Sequence, residues 1–387
     1  MTEHGVRRLR LADCLQEVTQ GVGSSWHQFR LVGATREGLA PAKDGVGKSP
    51  ERYKPVEPGT IFYNPMRILL GSIAFIDEGR APGITSPDYV VFKARPGVIH
   101  PRWFYYWLRS DEGAGFIRAL TRGAVRERML FRRLAAAEVD VPPFESQKKF
   151  ADLVRYVERA HVAAEARRDA AGALPAACLR SGFAEWQTRN WPTGRLAEVC
   201  TLLPSRSIAS DGDTVVQAIT TACLSETGFR PEGIKPARMW AASAAECLVR
   251  RGEVLIARSN TSELVGRASL FDGTTSGVVA SDLTIRVDSG SKIHAPFLAA
   301  FLSFLYVTGY WRERSGGASG SMKKITRRQL ENQIVPVPEL EDQKHVSEGI
   351  SRVLSKSEQI QRALDAQRQT AAPVLEALLR RASLGEL

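Results

Sequence analysis

The chain has 387 residues, too many for one compact core of usual size, so two domains are expected and a single small module is excluded. Hydrophobic residues make up 43% and charged residues 25%, the balance of an ordinary globular protein and not of a disordered one. Its 53 Lys and Arg against 42 Asp and Glu leave a net charge of +11, which makes a polyanion such as nucleic acid the first partner to consider.

No apolar run reaches the roughly 18 residues that would span a bilayer, and the N-terminus carries no apolar signal core. A cytoplasmic location with no membrane partner is therefore expected. The five cysteines (Cys14, Cys178, Cys200, Cys223, Cys247) lack C-x-x-C spacing, so small buried hydrophobes are expected in place of a zinc or disulfide framework.

In chain order, the first half carries predicted strands at Thr60-Ile61-Phe62-Tyr63 and Tyr89-Val90-Val91-Phe92, β-branched and aromatic runs punctuated by Gly and Pro. A short helix is predicted over 101–109, where proline suits the first turn. Phe150, Leu153, Val154, Val157, Ala160 and Ala164 then recur at three and four, predicting an amphipathic helix over 146–180, on the order of 50 Å long at about 1.5 Å per residue. The second half repeats this order, with strands at 253–257 and 283–287 and a helix at 296–307. It closes on a long helix carrying Val346, Ile350, Val353, Ile360 and Leu364 in a seven-residue rhythm. Pro175 and Pro373 are expected to kink or interrupt the long helices.

The two halves are copies of one unit. Val141-Pro142-Pro143-Phe144-Glu145-Ser146-Gln147-Lys148 reads against Val337-Pro338-Glu339-Leu340-Glu341-Asp342-Gln343-Lys344. Ile99-His100 matches Ile293-His294, Asp88 matches Asp282, Gly123-Ala124 matches Gly317-Ala318, and Arg10-Leu11-Ala12-Asp13 matches Arg195-Leu196-Ala197-Glu198. The near-constant spacing makes chance agreement untenable. A lone amphipathic helix has nothing to bury its stripe against, whereas two equivalent ones can pack antiparallel. The expected fold is α/β (α+β): two modules in a pseudo-twofold repeat, separated by a coiled-coil spacer of two long antiparallel helices.

Enzymatic motifs fail on context. Ala42-Lys43-Asp44-Gly45-Val46-Gly47-Lys48-Ser49 fits a relaxed phosphate loop, but Pro50, Pro55 and Pro58 follow and no strand precedes it. Asn64-Pro65-Met66 lacks the second proline and the stacking aromatic of an amino-methyltransferase site. Pro87-Asp88 and Asp342-x-Lys344, pieces of a nuclease pattern, lie in different copies. The six histidines show no metal-site spacing. His100 and His294 are equivalent under the repeat and are expected to serve packing or helix starts.

Basic and amide-rich segments on predicted loops remain. In the second copy these are Arg258, Ser259, Asn260 and Thr261, and the glycine-serine segment with Ser319, Ser321, Lys323 and Lys324. In the first they are Arg67, then Arg122, Arg126 and Arg128, with Lys43, Lys48, Arg52 and Lys54 on an early loop. Arg and Asn side chains can read base edges bidentately, while Ser, Lys and flexible backbone amides suit phosphates. No catalytic or metal-binding residues are expected.

The duplicated Val-Pro-x-x-x-x-Gln-Lys helix starts, the closing Leu384-Gly385-Glu386-Leu387 and the segment Gly252–Thr261 with Leu264-Val265-Gly266-Arg267 together resemble the specificity subunits of Type I restriction-modification enzymes. The resemblance covers essentially the whole chain. It implies target-recognition domains at 1–143 and 189–337 and spacer helices at 144–188 and 338–387. It implies a non-catalytic reader of double-stranded DNA that binds a split, asymmetric target and scaffolds its partners: two modification (methyltransferase) subunits carrying S-adenosylmethionine and, in the full enzyme, two restriction subunits using ATP and Mg. No cofactor is implied for this chain itself. The competing reading is a pseudo-symmetric coiled-coil adaptor that binds RNA or protein without sequence-specific DNA recognition.

Overall fold

The computed structural model describes residues 5–121, 128–319 and 322–383. The chain divides into two compact units, residues 1–164 with 367–387, and residues 165–366.

In the first unit a four-stranded antiparallel sheet has the order Leu15–Glu17, Val90–Ala94, Thr60–Tyr63, Ile73–Phe75. A second sheet, ordered Gly38–Pro41, Arg30–Thr35, Gly83–Thr85, Lys54–Val56, contains one parallel pair, Arg30–Thr35 with Gly83–Thr85. The helix Pro101–Arg109 lays Trp103, Phe104 and Trp107 on Ile61, Tyr63 and Phe92, and Phe150 and Val154 of the long helix Phe144–Gly182 complete that core.

The second unit repeats this plan. Its antiparallel sheet runs Thr201–Leu202, Thr284–Asp288, Val254–Ala257, Ala268–Leu270, and Thr214–Ile219 pairs parallel to Val278–Ala280. The register agrees too: Thr60 faces Lys93 as Val254 faces Val287, and Tyr63 faces Val90 as Ala257 faces Thr284. Most pairings are antiparallel, so α+β describes the sheets better than α/β. The helix Ala295–Val307 packs Phe297 and Phe301 on this sheet, joined by Leu179 and Phe183 from the end of the first long helix and Ile350 of the second, Leu340–Ser383.

The repeated glutamines explain why their surroundings recur. Gln147 is buried; its Oε1 accepts from the His100 amide at 2.7 Å and its Nε2 donates to the Val98 and Pro142 carbonyls. Gln343, also buried, accepts from the His294 amide at 2.7 Å and donates to Lys292 and Pro338. His100 and His294 are the N-cap residues of the helices Pro101–Arg109 and Ala295–Val307, in line with the helix-start role read from the repeat. Cys14, Cys200, Cys223 and Cys247 are buried and all five thiols are free; burial pushes the Cys200 thiol up to about 12.

The sequence reading of the long helices is corrected in part. Of the run Val346, Ile350, Val353, Ile360 and Leu364, only Ile350 is fully buried; Val346 and Leu364 are half-buried, and Val353 and Ile360 are exposed. The buried seam is Gln343, Ser347, Ile350 and Ser357 with Leu354 half-buried between them, spaced four and three apart, with serine and glutamine hydrogen-bonded inside it. Within the second unit, the Ser357 hydroxyl donates to the Ala171 carbonyl at 2.8 Å, Arg168 pairs with Asp365 at 3.1 Å, and Gly182 lies against Ile350.

Pro175 and Pro373 interrupt neither helix. A proline inside a helix frees the carbonyl four residues before it, here that of Ala171, and Ser357 supplies the missing donor. Ser357→Ala should therefore cost roughly 1–2 kcal/mol in denaturant unfolding, the penalty for a buried unpaired carbonyl. Adding Pro175→Ala should recover most of that loss, because residue 175 regains an amide; equal losses in the single and double variants would rule the pairing out.

Candidate nucleic-acid interface

In the second unit the strand Val254–Ala257 runs into a strap closed by the Gly266 amide on the Ala257 carbonyl at 2.8 Å. Gly266 sits at φ +84° with its Cα against the Trp311 ring, so only glycine fits. Within the strap, Ser259–Asn260 is a short strand and not the expected loop: it pairs with Met322–Lys324, which pairs in turn with Gly316–Ser319. Two segments more than fifty residues apart in the chain thus share one three-stranded sheet, and the Ile325 amide closes it on the Arg258 carbonyl at 2.9 Å.

Side chains on this sheet differ in what they offer. The Asn260 amide donates to Thr221 Oγ1 at 2.8 Å and its Oδ1 accepts from the Thr261 amide, which fixes its plane while it stays half-exposed. Arg258 donates to the Asp282 carbonyl at 3.1 Å, and its Nε is buried with no partner. Lys323 Nζ reaches the Gly317 carbonyl at 3.3 Å, and Lys324 is exposed with no ion pair among the described residues. Ser259 corrects the sequence reading: it is buried, its hydroxyl turned onto Met322 Sδ at 3.1 Å, away from any partner in solvent. Ser319 lies on the strand Gly316–Ser319, and Ser321 falls outside the described residues.

The first unit has the same strap in the same place. Strand Thr60–Tyr63 runs into Asn64, whose Oδ1 accepts from the Met66 amide at 3.0 Å; Ile68–Leu70 forms a 3₁₀ turn and Gly71 takes φ +81°. The Met129 amide meets the Pro65 carbonyl at 3.0 Å, one position further along the strap than the Ile325 bond to Arg258 in the second unit. Arg67 is exposed on this strap, Arg128 is half-buried with its Nε unpartnered, and Arg122 and Arg126 fall outside the described residues.

The early basic segment is irregular over 42–49 and leads into the 3₁₀ turn Pro50–Arg52, with Lys43, Lys48 and Arg52 exposed. Tyr53 OH, accepting from the Gly47 amide at 2.9 Å, pins it. Lys54 is half-buried: its ammonium donates to the Tyr89 carbonyl at 2.8 Å, and burial holds its pKa below the ordinary lysine value, Glu17 and Asp88 opposing. The turn Gly23–Gln28 adjoins this segment through the Val22 amide on the Tyr53 carbonyl. Its exposed Ser24, His27 and Gln28 were missed from sequence, although a Ser-Ser-Trp-His-Gln run holds the amide and aromatic chemistry that suits bases. Among the described residues no helix is long and apolar enough to cross a membrane, and no cluster of His, Cys, Asp or Glu could hold a metal ion.

Comparison of the whole fold with solved structures decides which architecture this is. A chain from a structure of the complex assembly and conformational transition of a type I restriction-modification system matches with a TM-score of 0.57 at 17% identity, covering 99% of this chain and 98% of that one. The HsdS subunit from Thermoanaerobacter tengcongensis matches with a TM-score of 0.52 at 18% identity, covering 99% and 97%. The fold is that of a Type I specificity subunit. No family model matches the sequence, and no curated protein matches it either. A shared fold at such low identity fixes the backbone plan and leaves the side chains of each module to be read on their own terms.

Proposed function

We propose that this chain is the DNA sequence-specificity subunit of a Type I restriction-modification complex. The observation that carries the reading is a specificity-subunit fold matched end to end by a chain built as two copies of one unit. In this reading the target-recognition domains are 1–143 and 189–337, and the spacer helices 144–188 and 338–387 pack as an antiparallel coiled coil about a pseudo-twofold axis. The opposed run of residues 168–182 and 350–365 supports that packing. Two domains held apart read two half-sites with an unread gap, and the helices set its length.

The net charge of +11 supports a phosphate-dominated, salt-sensitive affinity. Arg258, Asn260 and Thr261 with Lys323 and Lys324 form the contact sheet of the second domain; Arg67 and Arg128 on the strap, with Lys43, Lys48 and Arg52, form that of the first. Ser259 is spent inside the fold, and Lys54, half-buried, gives one of its donors to the Tyr89 carbonyl. Catalysis belongs to the partners: two modification subunits and, in the full enzyme, two restriction subunits, in the cytoplasm with the DNA.

The test is co-expression with a modification subunit, followed by mapping of methylated sites. Asn260→Ala should change which bases are tolerated in one half-site, by about 1–3 kcal/mol of lost discrimination. Lys324→Ala should weaken binding to all sequences alike and shallow the dependence of log K on log salt by about one. Methylated sites that are not split in two, or an unchanged methylation pattern with Asn260→Ala, would contradict the assignment; binding to RNA without DNA preference would favour the adaptor reading.

A further inference from the structure

The strap after the central strand occupies the same place in both units, but its chemistry does not repeat. Where the second unit carries Asn260, the first carries Met66, and Leu69 and Leu70 follow it on the strap; the three are 63%, 40% and 70% exposed. The strap that carries them is anchored: Ile68 is buried, the Asn64 amide is bonded to the Ser72 carbonyl, and the buried Ser72 hydroxyl donates to Ala34 at 2.7 Å. The apolar tip is a fixed feature of the surface.

Its surroundings are cationic. Arg67 lies on the strap, and Arg36 and Arg118 line, with Leu69 and Leu70, a cavity of about 580 Å³ beside it. All three are exposed and none makes an ion pair among the described residues. An apolar tip ringed by unneutralised arginines fits a surface that is apolar at its floor and anionic at its rims. The DNA major groove at an A·T pair is such a surface, with the thymine C5-methyl on its floor and phosphates along its edges. A wholly apolar protein partner would instead leave three guanidiniums uncompensated.

Building on the DNA-reading role above, we propose that Met66, Leu69 and Leu70 read thymine methyl groups in one half of the target, with Arg36, Arg67 and Arg118 on the flanking phosphates. The first domain then discriminates by apolar contact where the second uses amide and guanidinium groups.

Deoxyuridine in place of thymine removes only the methyl and leaves the protein untouched. The chain in complex with its modification subunits, bound to its own target duplex, should lose roughly fourfold in affinity for each contacted thymine of one half-site, the worth of one buried methyl. Complexes carrying Met66→Ala or Leu70→Ala should be insensitive to the same replacement, having already lost the contact. Sequence-specific methylation with no thymine sensitive to the replacement overturns this inference while leaving the DNA-reading role standing, as does a target with no A·T pair in one of its half-sites and no sensitivity in the other. Loss of subunit assembly in Leu70→Ala without uracil sensitivity assigns the tip to a protein and overturns it as well. A complex that methylates all sequences alike overturns both readings.

Discussion

Arg286→Ala is expected to destabilise the second unit by about 3–5 kcal/mol, the cost of stranding a buried charge. Arg286 and Glu253 are 3% and 5% exposed and meet through two hydrogen bonds of 2.8 Å. The guanidinium also donates to the Glu246, Leu248 and Pro204 carbonyls, and Glu253 accepts from the Arg250 amide. Removing the arginine therefore leaves the buried Glu253 carboxylate without its counter-charge, held by the Arg250 amide alone, and takes a donor from three carbonyls. Arg286→Met keeps the volume but not the donors and should lose nearly as much. Pairing it with Glu253→Met should recover a large part, because two apolar groups leave no unpaired charge.

The consequence reaches the candidate interface. Glu253 stands at the start of the strand Val254–Ala257, whose far end delivers Arg258 to Thr261, and Arg286 lies on the strand beside it. The single variants should lose sequence-specific methylation at temperatures where the rest of the complex survives, while the double variant keeps it. Denaturant unfolding that places Arg286→Ala within 1 kcal/mol of the parent would show that the pair does not organise this sheet.

How much of this was legible in the sequence depends on whether the signal was local. The repeat was readable because Gln147 and Gln343 sit in the same short pattern, and their bonds to His100 and His294 reproduce each other. Strands such as Thr60–Tyr63 were readable because β-branched and aromatic residues suit a pleated core. The seam of the second long helix was misread because apolar periodicity counts Val353 and Ile360 and passes over Ser347 and Ser357, which enter the seam through hydrogen bonds. The strand Ser259–Asn260 was hidden for a different reason. Its partner Met322–Lys324 is more than sixty residues away, and Ser, Asn, Gly and Lys announce turns before strands.

The same division holds for the candidate interface. Composition supplied the residue types but not their direction: Lys54 and Ser259 fit nucleic acid by type, yet the fold turns one to the Tyr89 carbonyl and the other to Met322. Conversely, Met66, Leu69 and Leu70 look like core from sequence, and only the geometry of the strap shows them in solvent.

Gln147→Ala and Gln343→Ala should each cost about 2–4 kcal/mol, and by nearly equal amounts, because each removes the same three hydrogen bonds from a buried site. In each case the amide of a helix N-cap and two carbonyls lose their partner, and the long helix loses its tie to the module it follows. Glutamate is no substitute. It can still accept from the His100 or His294 amide, but it places a buried carboxylate against two carbonyls where the glutamine donated, so Gln147→Glu and Gln343→Glu should be at least as damaging near neutral pH. The two histidines differ in their ring contacts: His294 Nδ1 has Ser347 Oγ at 3.2 Å, whereas His100 Nδ1 is buried without a partner. That difference predicts the deviation from equality. With its histidine held by a second bond, the second unit should tolerate loss of its glutamine slightly better, and denaturant unfolding of the two variants side by side measures it. Losses differing by more than about 2 kcal/mol would mean that the two clamps, identical in their bonds, do not carry equal weight in their units, and the repeat would then be one of sequence more than of energetics.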